Sequence, residues 1–181
     1  EISQDLRNIT FGIFTMPFSF EGDKRKQLAE QALQKLQPFV NAYVVIPNDK
    51  IFGVVDKKTP LKESFSQVNK RLADTLEGFM TTLSSPGLIN IDFADVRSVL
   101  EGRGRLAYIN SAISAGPGRG QEAVKSVLAH PLYDYGIEGA DRLFFNIMGD
   151  RSLKMQEVAA ISKAISDYNP RAKTVFGISL H

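Results

Sequence analysis

Across 181 residues the sequence carries 22 Lys and Arg against 20 Asp and Glu, a net charge of +2, in a composition that is 43% hydrophobic and 23% charged. A chain of this size buries roughly two thirds of its unfolded surface as one large or two small domains, and its balanced charge excludes the basic stripe by which nucleic-acid binders displace counterions. Cysteine is absent, which removes disulfides, thiolate metal sites and thiol nucleophiles, and the two histidines, His130 and His181, leave any catalytic triad or histidine metal cluster resting on His130. No apolar stretch approaches the ~20 residues of a membrane span and no signal-peptide pattern opens the chain, so it reads as cytosolic. Glu1 in place of Met reads as a processed chain or an excised domain.

Residues Ile9 to Met16 (ITFGIFTM) form a short β-branched and aromatic run, which suits a strand buried on both faces of a parallel sheet. Pro17 ends it, and the loop PFSFEG leads into Asp23–Val40. There Leu28, Ala32, Leu36 and Phe39 recur at helical spacing, with Asp23 as the N-cap. Ala42–Ile46 (AYVVI) is a second buried-type strand, stopped by Pro47-Asn48-Asp49. Strand, helix and strand within about forty residues make a βαβ unit with a right-handed crossover.

From Leu61 to Leu83 the apolar residues Phe65, Val68, Leu72, Leu76, Phe79, Met80 and Leu83 keep a helical period against charged residues on the other face. A helix of roughly 23 residues spans about 35 Å. With the Ser-Ser-Pro-Gly break at 84–87 behind it, this element is expected to connect two lobes. Next, the pattern predicts helix over Phe93–Leu100, strand over Leu106–Ser114, helix over Glu122–Leu128, strand over Arg142–Met148, helix over Met155–Tyr168 and strand over Thr174–Leu180. That is a second α/β lobe. The GPGRG segment at 116–120 has neither the GxGxxG spacing nor the P-loop lysine and reads as a turn between strand and helix.

Asp92 and Asp95 stand three apart where a loop becomes a helix, so both carboxylates fall within the first turn and near one face. Capping and the helix dipole account for acids at such a place with no chemistry at all. Two carboxylates and the nearby Asn90 amide on an exposed turn are also suited to orient a water for attack on a phosphate, since phosphoryl transfer depends mainly on positioning and electrostatics. Spacing does not decide between the two.

The string NIDFADVRSVL at 90–100 resembles the synergy loop of the FtsZ family, the bacterial cell-division GTPases of the tubulin superfamily. TMPFSFEGDKR at 15–25, IPNDKI at 46–51 and SSPGLIN at 84–90 resemble three further stretches of that family, in family order and spacing. SAGPGRGQEAVKSVLAHPL at 114–132 and, more loosely, NIMG at 146–149 extend the resemblance over nearly the whole chain.

The resemblance implies a partial Rossmann-like βαβ piece, a long central helix and a tubulin/FtsZ-like C-terminal α/β domain with a mixed sheet. Residues 1–60 would be a remnant of the GTP-binding domain, 61–84 the central helix and 85–181 the C-terminal activation domain. It implies that Asn90, Asp92 and Asp95 reach across a subunit interface to the γ-phosphate of GTP held by a neighbour and polarise the attacking water. It likewise places Glu21 and Arg25 at the ribose and phosphates, Asn48 along the nucleotide site, and Phe65 stacked on guanine. From the residues alone, Glu21 and Arg25 are solvated helix-start charges and Phe65 is core.

Further expectations follow from the resemblance. GTP or GDP with Mg²⁺ would be the ligands of the complete protein, while this chain, which has no GGGTGTG phosphate loop, would not turn over GTP alone. Its partners would be itself or intact FtsZ in a head-to-tail filament and division regulators, in the cytoplasm at the division site, with no nucleic acid and no membrane insertion. Lys70 stands where the family has a guanine-binding Asp, and an ammonium only donates, so guanine selectivity is not implied. Ile109-Asn110 replaces the usual Met-Gly pair, and the chain stops before the family's final strand, which leaves an unpaired sheet edge. The alternative reading is a divergent FtsZ-like interaction module, without catalysis, that binds filaments or itself.

Overall fold

The computed structural model describes residues 8–56, 58–84, 87–129 and 131–180; His130, His181 and the Ser85-Pro86 part of the break lie outside the described residues. The chain divides into two units, the first made of Glu1–Ala73, Leu100–Ile109 and His130–Tyr135, the second of Asp74–Val99, Asn110–Ala129 and Gly136–His181.

In the first unit, strands β1 (Phe11–Met16) and β2 (Ala42–Pro47) lie parallel, Phe11 opposite Ala42 through Met16 opposite Pro47. Helix α1 (Asp23–Leu36) connects them, as the βαβ pattern predicts. It is shorter than the expected span to Val40: Pro38 lies in a 3-10 turn over Gln37–Phe39, closed by Val40 N–H donating to the Gln37 carbonyl. Nor is Asp23 the N-cap. Gly22 takes that place at φ 91°, a conformation that costs a side-chain-bearing residue, and Asp23 is the first helical residue.

Val44 and Ile46 are 0% and 1% exposed, packed with Phe18, Ile51, Val68, Leu132 and Tyr133. The run AYVVI is apolar on both faces because both are covered. Helix α2 (Ile51–Val54) follows a 3-10 turn at Asn48–Lys50, and helix α3 (Leu61–Ser84) presents Val68 to this core and Phe65 and Leu72 to its margin. The boundary between the units falls inside α3, after Ala73.

Strand β3 corrects the expectation of a strand over Leu106–Ser114. Only Arg105–Leu106 is strand, and it pairs parallel with β2 of the first unit. Ala107 N–H still donates to the Tyr43 carbonyl at 2.7 Å. The next ladder bond, Val45 N–H to Ala107 carbonyl, is replaced by the Tyr135 hydroxyl, which accepts from Val45 N at 3.1 Å and donates to Ala107 O at 3.0 Å. Burial pushes that hydroxyl up to about 12, so it stays protonated and fills both roles. One hydroxyl wedged into the ladder ends the strand, and Tyr133 holds the Ile109 carbonyl at 2.9 Å just beyond it.

The second unit contains helix α4 (Phe93–Leu100, all but its last residue), helix α5 (Arg119–Leu128), strand β4 (Arg142–Gly149), helix α6 (Met155–Ser166) and strand β5 (Lys173–Leu180). β4 and β5 are parallel over eight paired positions, and the mixed character of this sheet rests on one antiparallel bridge, Ile89 to Ile178. Ile147, Val158 and Ile178 form the core under α6. GPGRG is a turn only in part: Gly116–Gly118 turn into α5, with Gly118 at φ 77° as its cap, while Arg119 and Gly120 are its first two helical residues. Asn110 closes the other end of α5, its amide donating to the carbonyls of Val127 at 3.0 Å and Ala129 at 2.9 Å.

Arg119 at the start of α5 grips Glu157 of α6 with two parallel bonds, Nε to Oε1 at 2.8 Å and Nη2 to Oε2 at 3.1 Å. Glu157 Oε2 also accepts from Lys154 N at 3.0 Å. These bonds hold the Glu157 carboxyl down at about 2, led by the Arg119 hydrogen bond. A depressed carboxyl stabilises the fold above its unfolded value of 4.5 and loses that contribution as pH falls from there toward about 2. Thermal melts of Glu157→Gln should therefore fall less steeply between pH 4.5 and pH 2 than those of the parent; parallel acid limbs would refute the coupling.

Candidate functional site

Two groups of residues singled out by the sequence lie one in each unit. In the second, Asp92 caps α4. Asp95 N–H donates to Asp92 Oδ1 at 2.7 Å, and Asp92 N–H donates to Asp95 Oδ2 at 3.2 Å. This reciprocal pair is a capping box built from two aspartates. It uses one oxygen of each carboxylate, leaving Asp92 Oδ2 and Asp95 Oδ1 without a hydrogen bond among the described residues. Asp92 and Asn90 are exposed and Asp95 is half-buried, while Ile91 and Val96 beside them are buried. The acids are thus held at the surface by their own backbone rather than locked into the core.

Asn90 accepts from Gly87 N–H through Oδ1 at 2.6 Å. Its acceptor is spent inside the loop, so the end left for a ligand is the Nδ2 donor. At the far end of α4, the Arg142 guanidinium donates to the Ser98 carbonyl at 2.9 Å, which anchors the helix at both termini. Leu88 is 69% exposed and Phe93 58%, with Arg97 stacked 5.6 Å above the Phe93 ring. Apolar side chains left in water around a polar centre mark a surface suited to another macromolecule.

In the first unit the loops that follow β1 and β2 meet at the carboxyl ends of parallel strands, where α/β sheets commonly place ligands. Asp49 ties them together, accepting from Ser19 N at 3.1 Å and from Ser19 Oγ at 3.3 Å. Glu21 accepts from Phe18 N at 2.9 Å and pairs with Arg25 at 3.1 Å. Arg25 is exposed and Glu21 half-buried. Asn48 lies in the 3-10 turn next to Asp49, with no side-chain hydrogen bond among the described residues. Phe65 meets Phe18 edge-on at 5.8 Å, and Phe18 stacks on the exposed Phe20 at 4.8 Å. Phe65 is therefore half core and half rim. Sequence reasoning missed the Ser19–Asp49 tie and the Arg119–Glu157 clamp, whose partners are 30 and 38 residues apart. No local pattern signals such pairs.

Among the described residues no group of three or more His, Cys, Asp or Glu could hold a metal ion, and no helix is long and apolar enough to cross a membrane.

Comparison with known proteins adds to this geometry. The family model described as FtsZ family, C-terminal domain, matches residues 105–181. Cell division protein FtsZ of Wigglesworthia glossinidia brevipalpis is 36% identical over 182 residues, which cover 99% of this chain and 47% of the relative. An empty FtsZ dimer from M. jannaschii matches with a TM-score of 0.85 at 34% identity, covering 100% of this chain and 52% of its own. CetZ2 from Haloferax volcanii, solved as a GTPγS-bound protofilament, matches with a TM-score of 0.77 at 14% identity over 99% of this chain and 54% of its own, a likeness of fold alone. Parallel βαβ piece, long helix and second α/β unit together define a tubulin/FtsZ-like α/β protein. The chain spans about half the length of the relatives it matches. Its similarity to FtsZ proteins runs along nearly the whole of this chain.

Proposed function

We propose that this chain acts in cell division as part of a GTP-hydrolysing FtsZ-type polymer, supplying the acid loop that completes a GTPase site on the neighbouring subunit. In this reading residues 1–60 close a nucleotide-binding domain, 61–84 are its central helix and 85–181 the activation domain. The observation that carries it is the capping box: Asp92 and Asp95 are fixed to each other's backbone, yet each keeps one oxygen clear of the fold. A cap alone needs one such acid. Two braced carboxylates beside the outward Asn90 Nδ2, rimmed by exposed Leu88 and Phe93, form a surface suited to act on something outside the chain.

Asn90 Nδ2 would donate to a γ-phosphate oxygen. Asp92 Oδ2 and Asp95 Oδ1 would accept from the attacking water and aim its lone pair along the line of displacement. The helix and loop are pre-formed, so little reorganisation accompanies the reaction. Glu21, Arg25, Asn48 and Phe65 would line the nucleotide that this subunit's own half-site holds, Arg25 toward phosphate and Phe65 toward the base. Among the described residues no group of three or more His, Cys, Asp or Glu is placed to cage a Mg²⁺ ion. The proposed setting is a head-to-tail filament with itself or with intact FtsZ, open to division regulators, in the cytoplasm at the division site.

These 181 residues carry the acid loop and no GGGTGTG run, so by themselves they present the acid face and no complete nucleotide face. Added in several-fold excess to intact FtsZ assembling with GTP, it should occupy filament ends and lower polymer mass, read by light scattering. Unchanged scattering would count against an interface on this face.

A further inference from the structure

The acid loop is seated on β5 at two places where a glycine leaves room. Leu88 N–H and Ile89 N–H both donate to the Ile178 carbonyl, at 2.7 and 3.2 Å, and Ile178 N–H donates back to Ile89 O at 3.0 Å. A Cβ at Gly87 would lie 2.5 Å from that same Ile178 oxygen, a backbone atom that cannot swing aside. One strand position further back, a Cβ at Gly177 would meet Ile91 Cδ1 at 2.6 Å, Ile91 Cγ1 at 2.7 Å and Asn146 Oδ1 at 2.8 Å. Ile91 is the buried residue between Asn90 and Asp92. Neither glycine has a positive φ, so its backbone conformation is open to alanine and space alone excludes the methyl group.

We infer that Gly87 and Gly177 are positioning residues for the proposed GTPase site, setting how close the acid loop lies to β5 and so where Asn90 and Asp92 stand. The inference rests on the reading of Asn90, Asp92 and Asp95 given above. Gly87 acts from both sides: its missing Cβ lets Leu88 and Ile89 reach Ile178, and its N–H holds Asn90 Oδ1 at 2.6 Å. Gly177 acts through Ile91. Real Cβ atoms essentially never approach closer than 3.0 Å, so alanine at Gly87 must part loop and strand by at least the 0.5 Å between 3.0 and 2.5. Misplacement of a reacting group by about 1 Å costs on the order of 10²-fold in rate.

The test uses a full-length FtsZ-family chimera that carries this chain as its second half, with Gly87→Ala, Gly177→Ala, Gly177→Ala combined with Ile91→Ala, and Asp92→Asn as reference. In Gly87→Ala and Gly177→Ala, kcat should fall by about 10- to 100-fold, with KM for GTP unchanged because the nucleotide is held by the neighbouring subunit. Ile91→Ala removes the two nearest atoms that a Gly177 methyl would strike and leaves Asn146 Oδ1, the end of a side chain that can turn aside, so the double variant should turn over faster than Gly177→Ala alone. General destabilisation gives the opposite order, since two damaging changes accumulate, and melting curves of all variants monitor it. Parental kcat in both single glycine variants, or a double variant slower than Gly177→Ala, overturns the inference while Asp92→Asn remains inactive. Parental turnover in Asp92→Asn overturns the reading of the acids, and the inference with it.

Discussion

With Asp92 and Asp95 both replaced by Asn in the same full-length chimera, GTP is expected to bind and assembly to proceed, while hydrolysis falls by about 10²-fold or more. Asparagine is chosen because it separates the two roles these acids can have. It caps a helix about as well as aspartate, so the bonds at 2.7 Å and 3.2 Å that close the capping box persist through the carbonyl oxygen of each amide. What changes is the outward atom: an oxygen that accepts from water becomes an NH₂ that only donates. Stability should shift by no more than a few tenths of a kcal/mol. Alanine would confuse the result, since removing the cap costs about 1 kcal/mol by itself. Unchanged hydrolysis would leave only capping, and with it the interaction-module reading of the chain.

The second large effect is on the fold. Ile46→Ala should cost about 2–5 kcal/mol, because the side chain is deleted from a core too well packed to collapse around the gap. Ile46 is 1% exposed and sits among Phe18, Val44, Ile51, Val68, Leu132 and Tyr133. Domains have only about 5–15 kcal/mol of stability in total, and urea slopes of about 1–3 kcal/mol per molar place the midpoint shift at roughly 1–2 M. A shift under about 0.3 M on that scale would mean that β2 is not the centre of its unit's core. The same truncation at Ile13, on β1 and 37% exposed, serves as the control and should move the midpoint far less.

Much of this was legible in the sequence because it is local. The apolar runs of β1 and β2 and the helical period of α3 and α4 are each decided by residues within a few positions of one another, and each appears within a few residues of its expected bounds. The position of Asp92 and Asp95 at a helix start pointed to capping, and the structure makes that cap reciprocal. What failed was decided from far away. The strand expected over Leu106–Ser114 stops after Leu106 because a hydroxyl 28 residues distant, on Tyr135, takes the Ala107 carbonyl. Its apolar composition gave no warning. Asn90 stands out beside the two acids in the sequence, but that its Oδ1 is engaged by Gly87, leaving a donor outward, depends on how the loop lies against β5. The residues proposed for the nucleotide site divide the same way: the Glu21–Arg25 pair joins positions four apart across the start of α1, whereas the Ser19–Asp49 tie that draws two loops together spans 30 residues.

The central claim is that the acids on this chain act on a phosphate held by another molecule, and complementation tests it most directly. A full-length relative whose own two loop acids are replaced by Asn is expected to bind GTP and to hydrolyse it slowly. Mixed with an excess of this chain, it should regain GTP hydrolysis in proportion to the chain added, and the Asp92→Asn, Asp95→Asn form of the chain should restore none. Restoration by both forms alike, or by neither, would contradict the account.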